Sequence, residues 1–160
     1  MEFITDLISE NNKLPVKTIN NLKKLLSYQN VKKKHVLTKA GETPTEFYIL
    51  KEGVVRSYFL DKKGREVIQS LNVGGNSFGA FSSLVLDRPS RMYYDCLTDC
   101  EFYVGDFKAF KKLTKKDINI SLLYTKVLEY SFIKKEKRIY ELSMLDATDR
   151  YLKIRKDLPN

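Results

Sequence analysis

Residues 46–79 read EFYILKEGVVRSYFLDKKGREVIQSLNVGGNSFG. Within them, residues 46–51, 54–60 and 66–73 are rich in β-branched and aromatic side chains, which suit a pleated, half-buried surface. Gly53, the link Asp61-Lys62-Lys63-Gly64, and Gly74-Gly75 separate these runs. A short link ending in Gly supplies the positive φ that a tight hairpin demands, so the runs predict consecutive antiparallel strands. Working outward, residues 31–37 have the same character upstream, and residues 91–97 and 101–104 follow the break at Pro89. This many short strands at close spacing imply an antiparallel sandwich or roll.

On either side the period changes to 3.6. Residues 2–11 and 15–27 read as short helices; in the second, Pro15 fits the first turn and Val16, Ile19, Leu22, Leu25 and Leu26 recur at helical spacing. After Gly105, Asp106 caps a short helix to about residue 112. Asp117 caps a long one to about residue 145, with no Gly or Pro before Pro159. Leu128, Phe132, Ile139 and Leu142 lie along one seam of it, interrupted by Lys135, while Ile120, Tyr124 and Val127 give a second apolar face. Two apolar faces predict one packed in cis and one meeting the same helix of a second copy, hence a homodimer. The expected fold is α+β: a double-stranded β-helix (an antiparallel β-roll or jelly roll) flanked by N-terminal helices and a long C-terminal dimerisation helix. Residues 1–145 form the roll and helix; residues 146–160 form a hinge and the start of a further domain.

Composition limits the function. The chain has 160 residues, 42% apolar and 31% charged, enough for one domain with a real core and wrong for collagen-like or wholly disordered chains. No apolar run is long enough to span a membrane, and Met1-Glu2-Phe3-Ile4-Thr5-Asp6 has acids where a signal peptide has bases, so the reading is cytoplasmic. Cys96 and Cys100 are too few for a disulfide framework and read as buried small side chains. His35 is the only histidine, which argues against a multi-His metal site and against Ser-His or Cys-His catalysis. The net charge of +9 is concentrated in residues 1–40, where 8 Lys face 3 acids. It favours a polyanionic partner but chiefly reports solubility and association rate, and Lys32-Lys33-Lys34 reads first as a solvated strand end.

Helices, a roll with glycines at its corners and a long helix together resemble the effector domain of the Crp/Fnr regulators, the cyclic-AMP receptor protein family. Four motifs in order carry the resemblance: Ala40-Gly41-Glu42 with Phe47-Tyr48-Ile49-Leu50-Lys51-Glu52-Gly53; the Gly64 hairpin; Gly74-Gly75-Asn76-Ser77-Phe78-Gly79; and Leu145-Asp146-Ala147-Thr148, similar to the family's hinge. The resemblance implies a transcription regulator that dimerises through the long helix, senses an effector in the roll and binds DNA through a winged helix-turn-helix beyond Asp146. The residues after the hinge are too few to hold that domain. Either the chain is cut at the hinge or it is an effector-only protein; Leu152-Lys153-Ile154 and Leu158-Pro159 favour the first, as they look like the lead-in to another domain.

The resemblance also implies where a ligand would sit: Phe78, Gly79, Ala80, Ser90, Arg91 and, from the long helix, Lys135. A cyclic phosphate in that place needs an Arg and nearby N–H groups, and the ribose needs an acid directly after "F-G". Here Ala80 follows Phe78-Gly79, and Ser90-Arg91 reverses the family's Arg-then-Ser order. One position along a strand turns a side chain to the other face, so Arg91 is expected to point away. Lys135 and Glu136 stand where the family reads adenine. Cyclic AMP binding is therefore disfavoured. Another small-molecule effector, or a pocket filled by Phe78, Phe81, Tyr93 and Tyr94, is expected instead. The alternative function is a cyclic nucleotide-binding or partner-binding module of a non-transcriptional signalling protein. No nucleophile–base set or phosphate-cradling loop points to an enzyme.

Overall fold

The computed structural model describes residues 14–157; the helix expected over residues 2–11 lies outside them. The chain divides into two compact units, one ending at Asp117 and the other starting at Ile118.

The first unit opens with α1 (Val16–Leu25), whose Leu22 is buried, and runs directly into β1 (Leu26–Val31). The helix stops two residues earlier than its spacing predicts. From Leu26 to Val31 the backbone pairs with the last strand, and the ladder overrides local helical periodicity. The expected strand over 31–37 is likewise two strands. Four residues, Lys32 to His35, turn the chain from one sheet into the other, with Lys34 at φ 71°. Asp99 organises this corner by accepting from the Lys33 N–H (2.9 Å) and the Lys32 ammonium (2.7 Å).

β2 (Val36–Thr38), β3 (Glu46–Glu52), β4 (Val54–Leu60), β5 (Glu66–Val73), β6 (Ser77–Phe78), β7 (Tyr93–Cys96) and β8 (Cys100–Asp106) complete the strands. They form two four-stranded antiparallel sheets, ordered β1-β8-β3-β6 and β2-β7-β4-β5. This is the expected β-roll. The β4–β5 hairpin turns where predicted: Asp61 accepts from the Lys63 and Arg65 N–H groups, and Gly64 has φ 75°. Inward side chains from both sheets, among them Leu50, Val55, Cys96 and Phe102, build the core between them. Cys96 and Cys100 are free and buried, as expected of small apolar side chains. A six-residue helix, α2 (Phe81–Leu86), lies between β6 and β7 and has no counterpart in the sequence reading. Asp106 caps α3 (Phe107–Thr114) by accepting from the Ala109 N–H at 2.6 Å.

The second unit holds α4 (Ile118–Met144), 27 residues and about 40 Å long, and α5 (Ala147–Asp157). Between them Asp146 accepts from the Asp149 N–H (2.9 Å), capping α5. The Lys153 ammonium meets the Glu141 carboxylate at 2.7 Å across the bend, and the Arg150 guanidinium donates to the Leu145 carbonyl.

Candidate functional site

The residues expected to line a ligand site lie mostly where β6, α2 and the loop before β7 meet. Alternation along β7 turns Tyr94 inward and Tyr93 outward. Tyr94 is 5% exposed, and its hydroxyl donates to the Gly79 carbonyl at 2.9 Å. Its ring stacks on Phe78 (centroids 6.2 Å), Phe78 stacks on Tyr48 (5.1 Å), and Tyr48 meets Phe102 edge-on (5.5 Å). Offset-stacked and edge-on rings at such distances add to the area they bury. Four aromatic rings therefore occupy the interior beside Gly79. Two side chains expected among them are elsewhere. Phe81 is 42% exposed and sits edge-on to Phe107, because the first position of α2 points outward. Tyr93 stacks on Tyr58 on the outer face of its sheet.

Phe78, Gly79 and Ala80 run in sequence from β6 into α2, and Ser90 lies in the loop before β7. Ala80 is buried and caps α2 without a side-chain bond, so no acceptor stands after "F-G". Ser90 is 4% exposed; its hydroxyl donates to the Met92 carbonyl (2.8 Å) and accepts from the Met92 N–H (3.1 Å). Its backbone is tied to Glu42 and Gly41 by two bonds of 2.8 Å. Arg91, next along, is exposed. The buried position thus holds a small hydroxyl already satisfied by the Met92 backbone, while Arg91 is exposed. Lys135 belongs to the second unit, on an exposed part of α4, apart from the unit that holds the other five.

Against the aromatic rings lies a cavity of about 190 Å³, lined by Leu37, Thr38, Glu42, Thr43, Pro44, Thr45, Glu46 and Tyr48. The Tyr48 hydroxyl lies between the Leu37 carbonyl (3.4 Å) and the Glu46 carboxylate (3.2 Å). Burial, and then the negative charge of Glu46, raise the Tyr48 phenol well above its ordinary value, so it stays a donor. Among the described residues no group of three or more His, Cys, Asp and Glu could hold a metal.

The model for the cyclic nucleotide-binding domain matches residues 28–117, more than half of the chain. The chain belongs to the cyclic nucleotide-binding domain family. Solved structures agree on the fold of this domain. The sensor domain of the transcriptional regulator DNR from Pseudomonas aeruginosa is 20% identical, with TM-score 0.66, over 91% of this chain and 99% of that one. The catabolite activator protein of Thermus thermophilus is 15% identical, with TM-score 0.67, over 82% of this chain and 62% of that one. The regulatory domain of Toxoplasma gondii PKA, solved with cAMP, is 18% identical, with TM-score 0.61, over 69% and 43%. The cyclic nucleotide-binding domain here thus spans less than two thirds of the Thermus and Toxoplasma chains. No curated protein sequence matches it significantly.

Three features of this cyclic nucleotide-binding domain escaped the sequence. Tyr48 anchors the aromatic stack, and inward alternation with Leu50 along β3 was the available signal. Thr38, Glu42 and Glu46 converge on one cavity only because the β2–β3 loop folds back over Tyr48. On the outer face of the second sheet, Arg56 donates to Asp95 (2.7 and 3.0 Å) and Glu66 (2.6 and 3.3 Å) while lying 4.3 Å over the Tyr58 ring. Such a clamp across β5, β4 and β7 shows only once the register is known.

Proposed function

We propose that the chain is the effector-sensing and dimerisation part of a Crp/Fnr-type transcription regulator, with DNA contacted by a domain that follows the hinge at Asp146. The observation that carries this reading is α4. Ile120 is fully buried, whereas Phe132, Ile139 and Leu142 are 65%, 64% and 53% exposed. An apolar stripe of that size on one helix favours a partner helix with the same stripe, and two copies of this chain supply one. The Asp146 cap then fixes how whatever follows leaves α4. Control requires a signal that favours one arrangement of the helix pair over another.

Sedimentation tests this directly. The intact chain is expected to be a dimer, and the variant carrying Phe132→Glu and Ile139→Glu a folded monomer. A dimer that survives both substitutions would remove α4 from the interface and sink the reading.

The same reading holds that cyclic AMP is not the signal. Ala80, Ser90 and outward Arg91 leave a cyclic phosphate without a charged donor, at a large desolvation cost. Calorimetric titration with cyclic AMP is expected to give no saturable heat; saturation at micromolar concentration would restore nucleotide sensing.

A further inference from the structure

We propose that the cavity beneath the β2–β3 loop is a binding site for a small ligand carrying a primary ammonium group. Thr38 lines it, is 5% exposed, and has no side-chain hydrogen-bond partner among the described residues. A buried hydroxyl without a protein partner is uncommon and costly, and it calls for a partner from solvent or from a ligand. Glu42 and Glu46 also line the cavity. Each accepts one hydrogen bond, from the Lys39 N–H (3.3 Å) and the Tyr48 hydroxyl (3.2 Å), and neither forms an ion pair among the described residues. Both glutamates are exposed at the rim, and their carboxyl groups keep most of their lone pairs available.

No lysine, arginine or histidine lines the cavity, although the chain as a whole carries +9. The charged side chains of the lining are thus all acidic, and an anion would meet two carboxylates. Of the cations, a divalent metal is not favoured by the lining, since among the described residues no group of three or more His, Cys, Asp and Glu could hold one. An ammonium has three donors, which match Glu42, Glu46 and Thr38 one for one. The volume of about 190 Å³ has room for roughly six waters, so the ligand is small. Tyr48 joins the site to the aromatic stack, since the same side chain bonds Glu46 and stacks on Phe78. The proposal stands whether or not the chain regulates transcription.

The test is a two-dimensional amide NMR titration of the intact chain with ethylammonium chloride, with tetramethylammonium chloride and sodium propionate as controls at equal ionic strength. Ethylammonium is expected to give saturable shifts at Thr38 and residues 42–48, while tetramethylammonium, which has no N–H, and propionate do not. Glu46→Gln and Glu42→Gln preserve shape and remove one charge each. Each is expected to weaken binding about tenfold or more, as loss of a charge-assisted hydrogen bond does, and Thr38→Val by a few fold, with spectra otherwise unchanged. Shifts that do not saturate, equal shifts with tetramethylammonium, or unchanged affinity in the Gln variants would each overturn the proposal.

Discussion

Gly53 stands between β3 and β4 at φ 98°, with its α-carbon pressed against the turn that joins β7 to β8. A β-carbon there would lie 2.4 Å from the Asp99 carbonyl and 2.6 Å from the Cys100 sulfur. Gly41 has a similar φ, 90°, but nothing within 4 Å of such an atom. Both substitutions to Ala carry the strain of a conformation that side chains avoid, and only Gly53→Ala adds overpacking against backbone. Thermal denaturation should therefore find Gly41→Ala destabilised by about 1 kcal/mol and Gly53→Ala by about 3 kcal/mol or more. Equal losses would mean that the corner yields freely. Much at this scale was legible beforehand. The corner glycines follow from residue type, but Ser90 and Arg91 lie before β7, which starts at Tyr93 rather than at the expected Arg91, so the bend and not strand alternation leaves Arg91 exposed. The inward turn of Tyr94 rather than Tyr93 depends on where β7 starts, which the loop after Pro89 decides.

Among the elements, the bend between α4 and α5 carries the Asp146 cap, the Arg150 bond to Leu145 and the Lys153–Glu141 pair. Removing the cap with Asp146→Ala should cost about 1 kcal/mol and speed amide exchange in α5 about fivefold, leaving the roll unchanged. The hydrogen bond from Lys153, helped by its charge, holds the Glu141 carboxyl below the usual carboxylate range. A lowered folded-state value stabilises the bend above the free carboxyl's pKa of about 4.3, and that contribution is lost as pH falls through the lower value. NMR of the chain should show the bend intact from pH 7 to 5 and loosening below about pH 4, with Lys153→Met abolishing that acid step. An acid step that persists in Lys153→Met would assign it to other carboxyls. The strands of the β4–β5 hairpin and the long helix were plain in the sequence because each repeats its period over many residues. The break over residues 32–35 was not, since its left-handed residue is a lysine; nor was α2, whose six residues span too few turns for a period to show.

Taken whole, the molecule keeps its two cysteine thiols at the centre of the first unit, on strands from different sheets, each residue about 1% exposed. Burial, with the neighbouring Cys100 thiol, pushes the Cys96 thiol up to about 12. Alkylating reagents attack thiolates, and a thiol so protected reacts only when its surroundings come apart. Because both strands belong to one core, parting the sheets uncovers both sulfurs together. Iodoacetamide should accordingly leave a population of unmodified and doubly modified chains by mass spectrometry, with few singly modified; stepwise modification would show a core that opens piecemeal. Without any engineered residue, the chain thus carries a stopwatch for its own unfolding, and the same reading taken with and without a candidate ligand would rank compounds by how long they hold the barrel shut.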